Sequence, residues 1–166
     1  DSDVIYLGDV GSGTEEVNSF VVTNNTANFG WPTHDGFVVS STLPGYRNPI
    51  VYYTRSGAAA TLNAFRSEDP MATVTTSASV MIGDVYRGSR YTAAMNGGAL
   101  LFGEFYNGFV RAVGVDASGN ITDGDGVPGF HLVHEDGISS MVQGPDGYVY
   151  LTAQYGPAMV YRLVRP

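Results

Sequence analysis

The 166-residue sequence contains neither cysteine nor lysine. The lack of cysteine excludes disulfides, thiolate nucleophiles and Cys-ligated zinc sites within this chain. The lack of lysine excludes a Schiff-base amine, a phosphate-loop lysine and an ammonium clamp for an anion. All eight cationic residues are therefore arginines: Arg47, Arg55, Arg66, Arg87, Arg90, Arg111, Arg162 and Arg165.

Charge is scarce and mostly negative, with 14% charged residues and a formal net charge of −8. A nucleic-acid-binding surface needs cations to neutralise phosphates, so we expect no nucleic-acid partner. No apolar run reaches about 18 residues, so we expect no membrane span. The sequence starts at Asp1 without a signal-peptide pattern, and we expect it to be a mature or excised segment.

Short runs of β-branched and aromatic residues, separated by Gly, Pro, Asn and Asp, predict an all-β chain. Helical periodicity is nearly absent, and only residues 57–65 predict a short helical turn. The Gly-Pro-Asp-Gly stretch at 144–147 predicts a tight turn, since Pro presets φ and Gly accepts a positive φ. The predicted strands cover residues 4–7, 16–23, 50–53, 79–86, 99–105, 109–115, 130–133, 139–142, 148–153 and 159–164.

An apolar–Gly–acidic–apolar pattern recurs at residues 7–10, 82–85 and 102–105. Such recurrence favours a β-propeller of four-stranded antiparallel blades, of which this length covers about three to four. A β-sandwich also fits ten short strands. Residues 30–76 are the least strand-like and predict a long loop between blades. Because incomplete propellers leave open sheet edges, we expect a partner, either missing sequence, a second chain or another copy of this one.

Two further features carry alternative interpretations. The Asp-rich stretch 116–126 superficially resembles a calcium-binding EF-hand loop, but Ile121 replaces the turn glycine and no Glu closes the loop, which favours a hairpin loop. Trp31, the only tryptophan, either stacks on a sugar face or packs in the core.

Asn24 and Asn120 each begin an Asn-x-Thr glycosylation triplet.

Two ordered sets of motifs carry a family resemblance that spans almost all of the sequence. The first is GDVGSGTEEVN at 8–18, followed by NFGWPTHDG at 28–36. The second is GDVYRG at 83–88, then ALLFGEFYNG at 99–108 and GPDGYVY at 144–150. In order and spacing they resemble the glucose/sorbosone dehydrogenase family, whose soluble members are quinone-dependent sugar dehydrogenases on a six-bladed β-propeller.

The resemblance implies that residues 1–166 form the C-terminal half of one propeller, secreted to the periplasm or the cell exterior. It implies oxidation of a sugar with pyrroloquinoline quinone as cofactor, and it places the catalytic histidine in the N-terminal half. His34, His131 and His134 match no family motif, so we interpret them as surface or loop residues. The other hypothesis is a non-catalytic module that binds carbohydrate, protein or its own copies.

The resemblance also implies particular site residues. The backbone carbonyls of Gly11 and Ser12, with Glu15, match a loop that binds calcium, although the glycines of a simple turn and solvated Glu15 and Glu16 explain the same pattern. Trp31 and Tyr106 match positions at the substrate mouth. Quinone-using relatives have a lysine where this sequence has Tyr106, and two arginines near Gly137 and Ser139. These departures remove the cations that a tri-anionic quinone needs.

Overall fold

The computed structural model describes residues 3–23, 27–55, 78–95, 97–106, 108–122, 127, 131–133 (backbone only), 137–154 and 157–164. Within these ranges every predicted strand is confirmed, with ends shifted by a few residues. The predicted helical turn at 57–65 lies outside them. The strands are β1 (Val4–Val10), β2 (Thr14–Val21), β3 (Val51–Thr54), β4 (Val80–Tyr86), β5 (Ala99–Glu104), β6 (Phe109–Gly114), β7 (His131–Val133), β8 (Ile138–Gln143), β9 (Val149–Ala153) and β10 (Met159–Arg162), with a 3-10 turn at Ala93–Met95.

The strands form three antiparallel sheets in chain order, which confirms the predicted all-β propeller class. Sheet 1 has the order β1-β2-β3, sheet 2 the order β4-β5-β6-β7, and sheet 3 the order β8-β9-β10. Sheet 2 is a complete four-stranded blade. Sheets 1 and 3 each have three strands within the described residues, so three blades are present, two of them with a strand fewer than predicted.

The recurring glycines explain how the sheets pack so closely. A Cβ atom on Gly83 would lie 2.6 Å from Cβ of Met141 in β8, and one on Gly8 would lie 3.1 Å from Cγ1 of Ile82 in β4. A Cβ on Gly103 would lie 2.7 Å from the backbone oxygen of Phe109 and 3.3 Å from the methyl of Met141. Each glycine therefore lies where the neighbouring strands are too close to leave room for a side chain.

Two apolar clusters fill the spaces between the sheets. Tyr53 of sheet 1 packs with Phe102 and Phe109 of sheet 2, and Leu101 of sheet 2 packs with Met141 and Leu151 of sheet 3. All of these side chains are at most 2% exposed. The core is thus divided into two layers, one on each side of sheet 2, as expected for consecutive blades.

The directions of the strands decide which loops meet. β4 and β8 run the same way, since Gly83 faces Met141 and the Gln143 amide donates to Asp84 (3.0 Å). β1 runs opposite to β4, because Glu15, at the end of the β1–β2 hairpin, binds the amide of Val80, the first residue of β4. β1 therefore corresponds to β5, the second strand of a blade, and the β1–β2 and β5–β6 turns lie at one end with the starts of β4 and β8.

The long connection between β2 and β3 folds back over the face of sheet 1 that points away from sheet 2. Phe37 stacks on Tyr52 with ring centroids 5.6 Å apart, and the Gly36 amide donates to Glu16. The described residues of this connection, 22–23 and 27–50, form no strand and contain one bridge, of Asn28 to Tyr46. The described part of the predicted excursion, residues 30–55, connects β2 to β3 within sheet 1 and includes β3, so it does not lie between blades. Residues 56–77 lie outside the described ranges, and the assignment of 1–166 to part of one domain stays a prediction. No described helix is long and apolar enough to cross a membrane.

Candidate functional site

Three regions that the resemblance selected separately lie at the same end of the strands, which we call the site end. It comprises the Gly11–Gly13 turn, Tyr106 in the β5–β6 turn and Gly137 before β8, around the first residues of β4. The register fixes this arrangement, since Val80 pairs with Glu104, and the Phe105 amide donates to the Ser79 oxygen (2.9 Å).

The Gly11–Gly13 turn is held by Asp35 from the β2–β3 loop. Its Oδ2 accepts hydrogen bonds from the amide of Ser12 (3.0 Å), the hydroxyl of Ser12 (2.7 Å) and the amide of Gly13 (2.8 Å). Gly11 has no room for a Cβ, which would overlap the Thr14 oxygen and the Asp35 carboxylate. Sequence reasoning did not assign Asp35 this role, because its 22-residue separation from Gly13 gives no local signal.

Glu15 is buried, so the interpretation that it is solvated is wrong. Its Oε2 accepts a hydrogen bond from the Val80 amide (2.8 Å), and its Oε1 lies 3.4 Å from Nε of Arg55. Burial raises the pKa of Glu15 to about 7, although the Val80 hydrogen bond and the Arg55 charge oppose this; the charges of Glu104 and Asp35 raise it further.

A second buried carboxylate, Glu104, lies close to Glu15 and accepts a hydrogen bond from the Ser79 amide. Tyr53 lies beside both acids, and its pKa is raised well above the ordinary value by burial, then by the charges of Glu104 and Glu15. The site end thus concentrates acidic groups around the start of β4, and Arg55 is paired with one of them, Glu15.

Glu16 is also buried but faces the opposite side of sheet 1. It accepts hydrogen bonds from the Gly36 amide and from Nδ2 of Asn18 (3.1 Å). Burial raises its pKa, although both hydrogen bonds oppose the shift. Glu16 therefore fixes the β2–β3 loop onto the sheet, and the interpretation that it is solvated is also wrong.

The two predicted mouth residues are both exposed aromatic rings. Trp31 is 65% exposed and Tyr106 is 51% exposed, so within this chain Trp31 does not pack in the core. His34 lies in the same loop as Trp31, where its ring contacts Tyr46 and its Nε2 hydrogen-bonds the Ser41 hydroxyl (2.8 Å). The roles of Trp31 and Tyr106 at a substrate mouth stay predictions.

Two of the three groups that the resemblance assigns to calcium, the Gly11 carbonyl and Glu15, are already engaged. The Gly11 oxygen accepts a hydrogen bond from Nη1 of Arg55 (2.5 Å), and Glu15 pairs with the same guanidinium. A Ca²⁺ ion bound to both groups would lie against this cation. Among the described residues no cluster of three or more His, Cys, Asp or Glu side chains has the arrangement of a metal site. These residues, as arranged, do not fit calcium.

A tri-anionic quinone does not fit the described residues of the site end either. Tyr106, Gly137 and Ser139 bring no cation there, and the carboxylates described above repel an anion. Two other arginines lie at the opposite end, where the guanidinium carbons of Arg90 and Arg162 are 4.9 Å and 4.8 Å from the ring centroid of Tyr148.

The described part of the Asp-rich stretch, residues 116–122, forms a turn, as the hairpin interpretation predicts. Oδ1 of Asp116 accepts hydrogen bonds from the amides of Ser118 (2.8 Å) and Asn120 (2.9 Å). These bonds lower the pKa of Asp116, with those from Asn120 contributing most. The carboxylate therefore binds its own turn, and Nδ2 of Asn120, the glycosylation candidate, bonds Asp116 Oδ2 (3.1 Å). Asn24, His134 and residues 123–126 lie outside the described ranges.

Replacing Asp35 with alanine is expected to loosen the Gly11–Gly13 turn, because three hydrogen bonds to one carboxylate oxygen are lost. The expected cost is about 1–3 kcal/mol, with faster hydrogen exchange of the Ser12 and Gly13 amides. The matched control is Asp3→Ala, which removes an exposed carboxylate from the start of the chain. Unchanged exchange at Ser12 and Gly13 in the Asp35 variant would contradict the assignment.

Comparison with known proteins agrees with this architecture. Two solved structures, titled "Crystal structure of glucose dehydrogenase" and "glucose dehydrogenase", match 98% of this chain at 18% identity, with TM-scores of 0.56 and 0.53. The chain spans 41% of the length of each. No family model and no curated protein matches the sequence. On strand order, sheet packing and these structural matches, the chain has a glucose dehydrogenase-like fold.

Proposed function

We propose that this chain is the C-terminal part of a secreted, glucose/sorbosone dehydrogenase-like sugar oxidoreductase, and that it is inactive as an isolated segment. The observation that carries the proposal is the placement of the Gly11–Gly13 turn, Tyr106 and Gly137 at the same end of the strands, within a fold similar to glucose dehydrogenase over 98% of the chain. The resemblance implies a quinone as the electron acceptor of the whole protein.

In this proposal the chain supplies one wall of a sugar-binding site and the rest of the protein supplies the chemistry. Exposed Trp31 and Tyr106 are suited to contact a sugar, since aromatic rings cover the apolar faces of sugars. The proton-accepting histidine lies in the rest of the protein, as the resemblance implies. Cations for a quinone would also have to come from there, because the positions that supply them in quinone-using relatives hold Tyr106, Gly137 and Ser139 in this chain. The acidic groups around Glu15 and Glu104 support this division of labour, because they disfavour an anion near the start of β4.

The open faces of sheets 1 and 3 support a partner that completes the ring. Ile5 and Leu7 of β1 are 40% and 39% exposed, and Val160 of β10 is 68% exposed. A shallow groove of about 270 Å³ lies beside Ser139 and Val160 on sheet 3. Apolar strands of this kind are normally covered in a folded protein. We propose the N-terminal half of the propeller as the partner, with another copy of this chain as the alternative.

The proposal is tested by sugar-dependent dye reduction with added pyrroloquinoline quinone and calcium. The chain alone is expected to give no turnover, since it lacks the cationic groups and the base. The chain joined to the preceding half of its propeller is expected to reduce the dye. Turnover by the chain alone, or none by the joined protein at full quinone occupancy, would refute the proposal.

A second candidate is a non-catalytic module that binds carbohydrate. The pairing of Arg55 with buried Glu15 favours it, because the described site end then offers a sugar oxygen acceptors and the exposed Tyr106 ring while Arg55 is engaged. The single tryptophan, Trp31, makes this testable by fluorescence. A sugar that binds at the mouth is expected to change the Trp31 emission of the chain alone, and Tyr106→Ala is expected to weaken that response. Exposed Val39→Ala, in the same loop as Trp31, is the control.

A further inference from the structure

The Gly11–Glu15 hairpin is folded around one arginine side chain. Arg55, the residue after β3, donates from Nη1 to the Gly11 oxygen (2.5 Å), and its Nε lies 3.4 Å from Oε1 of Glu15. Its own backbone amide donates to the Gly13 oxygen (2.9 Å). One residue therefore binds the beginning and the middle of the turn and the acid that follows it.

Glu15 depends on Arg55 for charge compensation. The Glu15 side chain is fully buried, and no hydrogen-bond donor among the described residues reaches its Oε1, so the guanidinium is the group that faces this oxygen. Glu104 adds a second buried carboxylate nearby and Asp35 a third acid across the turn. Arg55 is 30% exposed, whereas Glu15 is fully buried, so removing the guanidinium leaves an uncompensated buried charge, which is destabilising.

A guanidinium suits these acceptors better than a metal ion does. It is a planar fork whose N–H groups point at several acceptors at once, and it stays charged at every accessible pH. Calcium requires six to eight oxygen ligands, whereas here the Asp35 Oδ2 atom is bound to Ser12 and Gly13, and Glu15 Oε2 to Val80. The Gly11 oxygen and Glu15 Oε2 are thus bound by protein donors, and Glu15 Oε1 faces the Arg55 guanidinium.

We propose that Arg55 is the resident cation of the Gly11–Glu15 hairpin, in the place where the resemblance implies calcium, and that the hairpin is organised without a metal ion. This inference does not depend on whether the complete protein oxidises a sugar. It concerns the chain's own residues, and its test uses stability and binding measurements rather than activity.

The experiment compares the chain with Arg55→Met, which keeps most of the aliphatic length and removes the charge and the donors. Arg47→Met, in the β2–β3 loop, is the matched control. Thermal melting is measured with calcium and with a chelator, and calcium binding is measured by calorimetry. A specific site saturated 100-fold would raise the melting temperature by about 5–10 °C.

The expected result has two parts. The unmodified chain binds no calcium and melts at the same temperature with calcium and with chelator. Arg55→Met melts about 6 °C or more below the unmodified chain, while Arg47→Met stays close to it. Calcium binding or stabilisation of the unmodified chain would overturn the proposal. An Arg55→Met variant no less stable than Arg47→Met would overturn it as well.

Discussion

Gly83→Val is expected to lower the melting temperature by about 6–12 °C, from a loss of about 3 kcal/mol in unfolding free energy. A Cβ at this position would lie 2.6 Å from Cβ of Met141, 2.9 Å from the Met141 backbone oxygen and 3.1 Å from Cβ of Leu101. Two of these atoms are the first carbons of strand residues, and the third is backbone. None of them is the far end of a flexible side chain, so β4 and β8 must separate to admit the valine.

The matched control is Gly97→Ala, because nothing lies within 4 Å of the added Cβ. It is expected to change the melting temperature by little. Thermal melting followed by circular dichroism compares the two variants, and a β-sheet spectrum retained at low temperature shows that the Gly83 variant still folds. A Gly83→Val protein that melts with the parent would show that β4 and β8 do not pack as closely as described.

The stability of the chain is expected to fall by about 2–3 kcal/mol between about pH 4 and pH 8 through Glu15. Its pKa is about 7 in the folded chain against an ordinary value of 4.5, mainly because the carboxyl is buried. The folded state therefore holds the proton more tightly than the unfolded state. This contribution is complete below pH 4.5, declines as the pH rises, and is lost above about pH 7.

Denaturant unfolding at several pH values measures how the unfolding free energy changes with pH. Glu15→Gln keeps the shape and a hydrogen-bond acceptor but does not titrate, so its unfolding free energy is expected to change less with pH than that of the parent. Burial also raises the pKa of Glu16, which keeps a smaller slope of the same sign. Asp3→Asn is the control on an exposed carboxyl. A parent protein that gains stability from pH 5 to pH 7 would contradict this role of Glu15.

Local sequence patterns predict the strands of this protein well, because alternation and turn chemistry act over a few residues. The Gly-Pro-Asp-Gly turn between β8 and β9 is an example, with Gly147 at a φ of 81° as its position requires. The repeated glycines at 8, 83 and 103 indicate sheets of one kind, and the structure gives the reason, which is the close approach of neighbouring strands.

The candidate site is less predictable, because its contacts join residues that are far apart in the sequence. Glu15 meets the Val80 amide across 65 residues, and Arg55 meets the Gly11 oxygen across 44. The sequence lists acids and arginines without saying which are paired, so a calcium loop and a plain turn were both reasonable. Whether Glu15 and Glu16 are solvated or buried depends on what packs against each face of sheet 1, and the sequence does not show this.

By itself the sequence determined the fold class, the positions of the strands and the lack of lysine and thiol chemistry, since these follow from composition and local periodicity. The tertiary structure alone decided that Glu15 is buried, that Trp31 is exposed and that Arg55 donates to the Gly11 oxygen. Long-range strand packing brings β2, β3 and β4 together. It places the Arg55 guanidinium between the Gly11 oxygen and the Glu15 carboxylate.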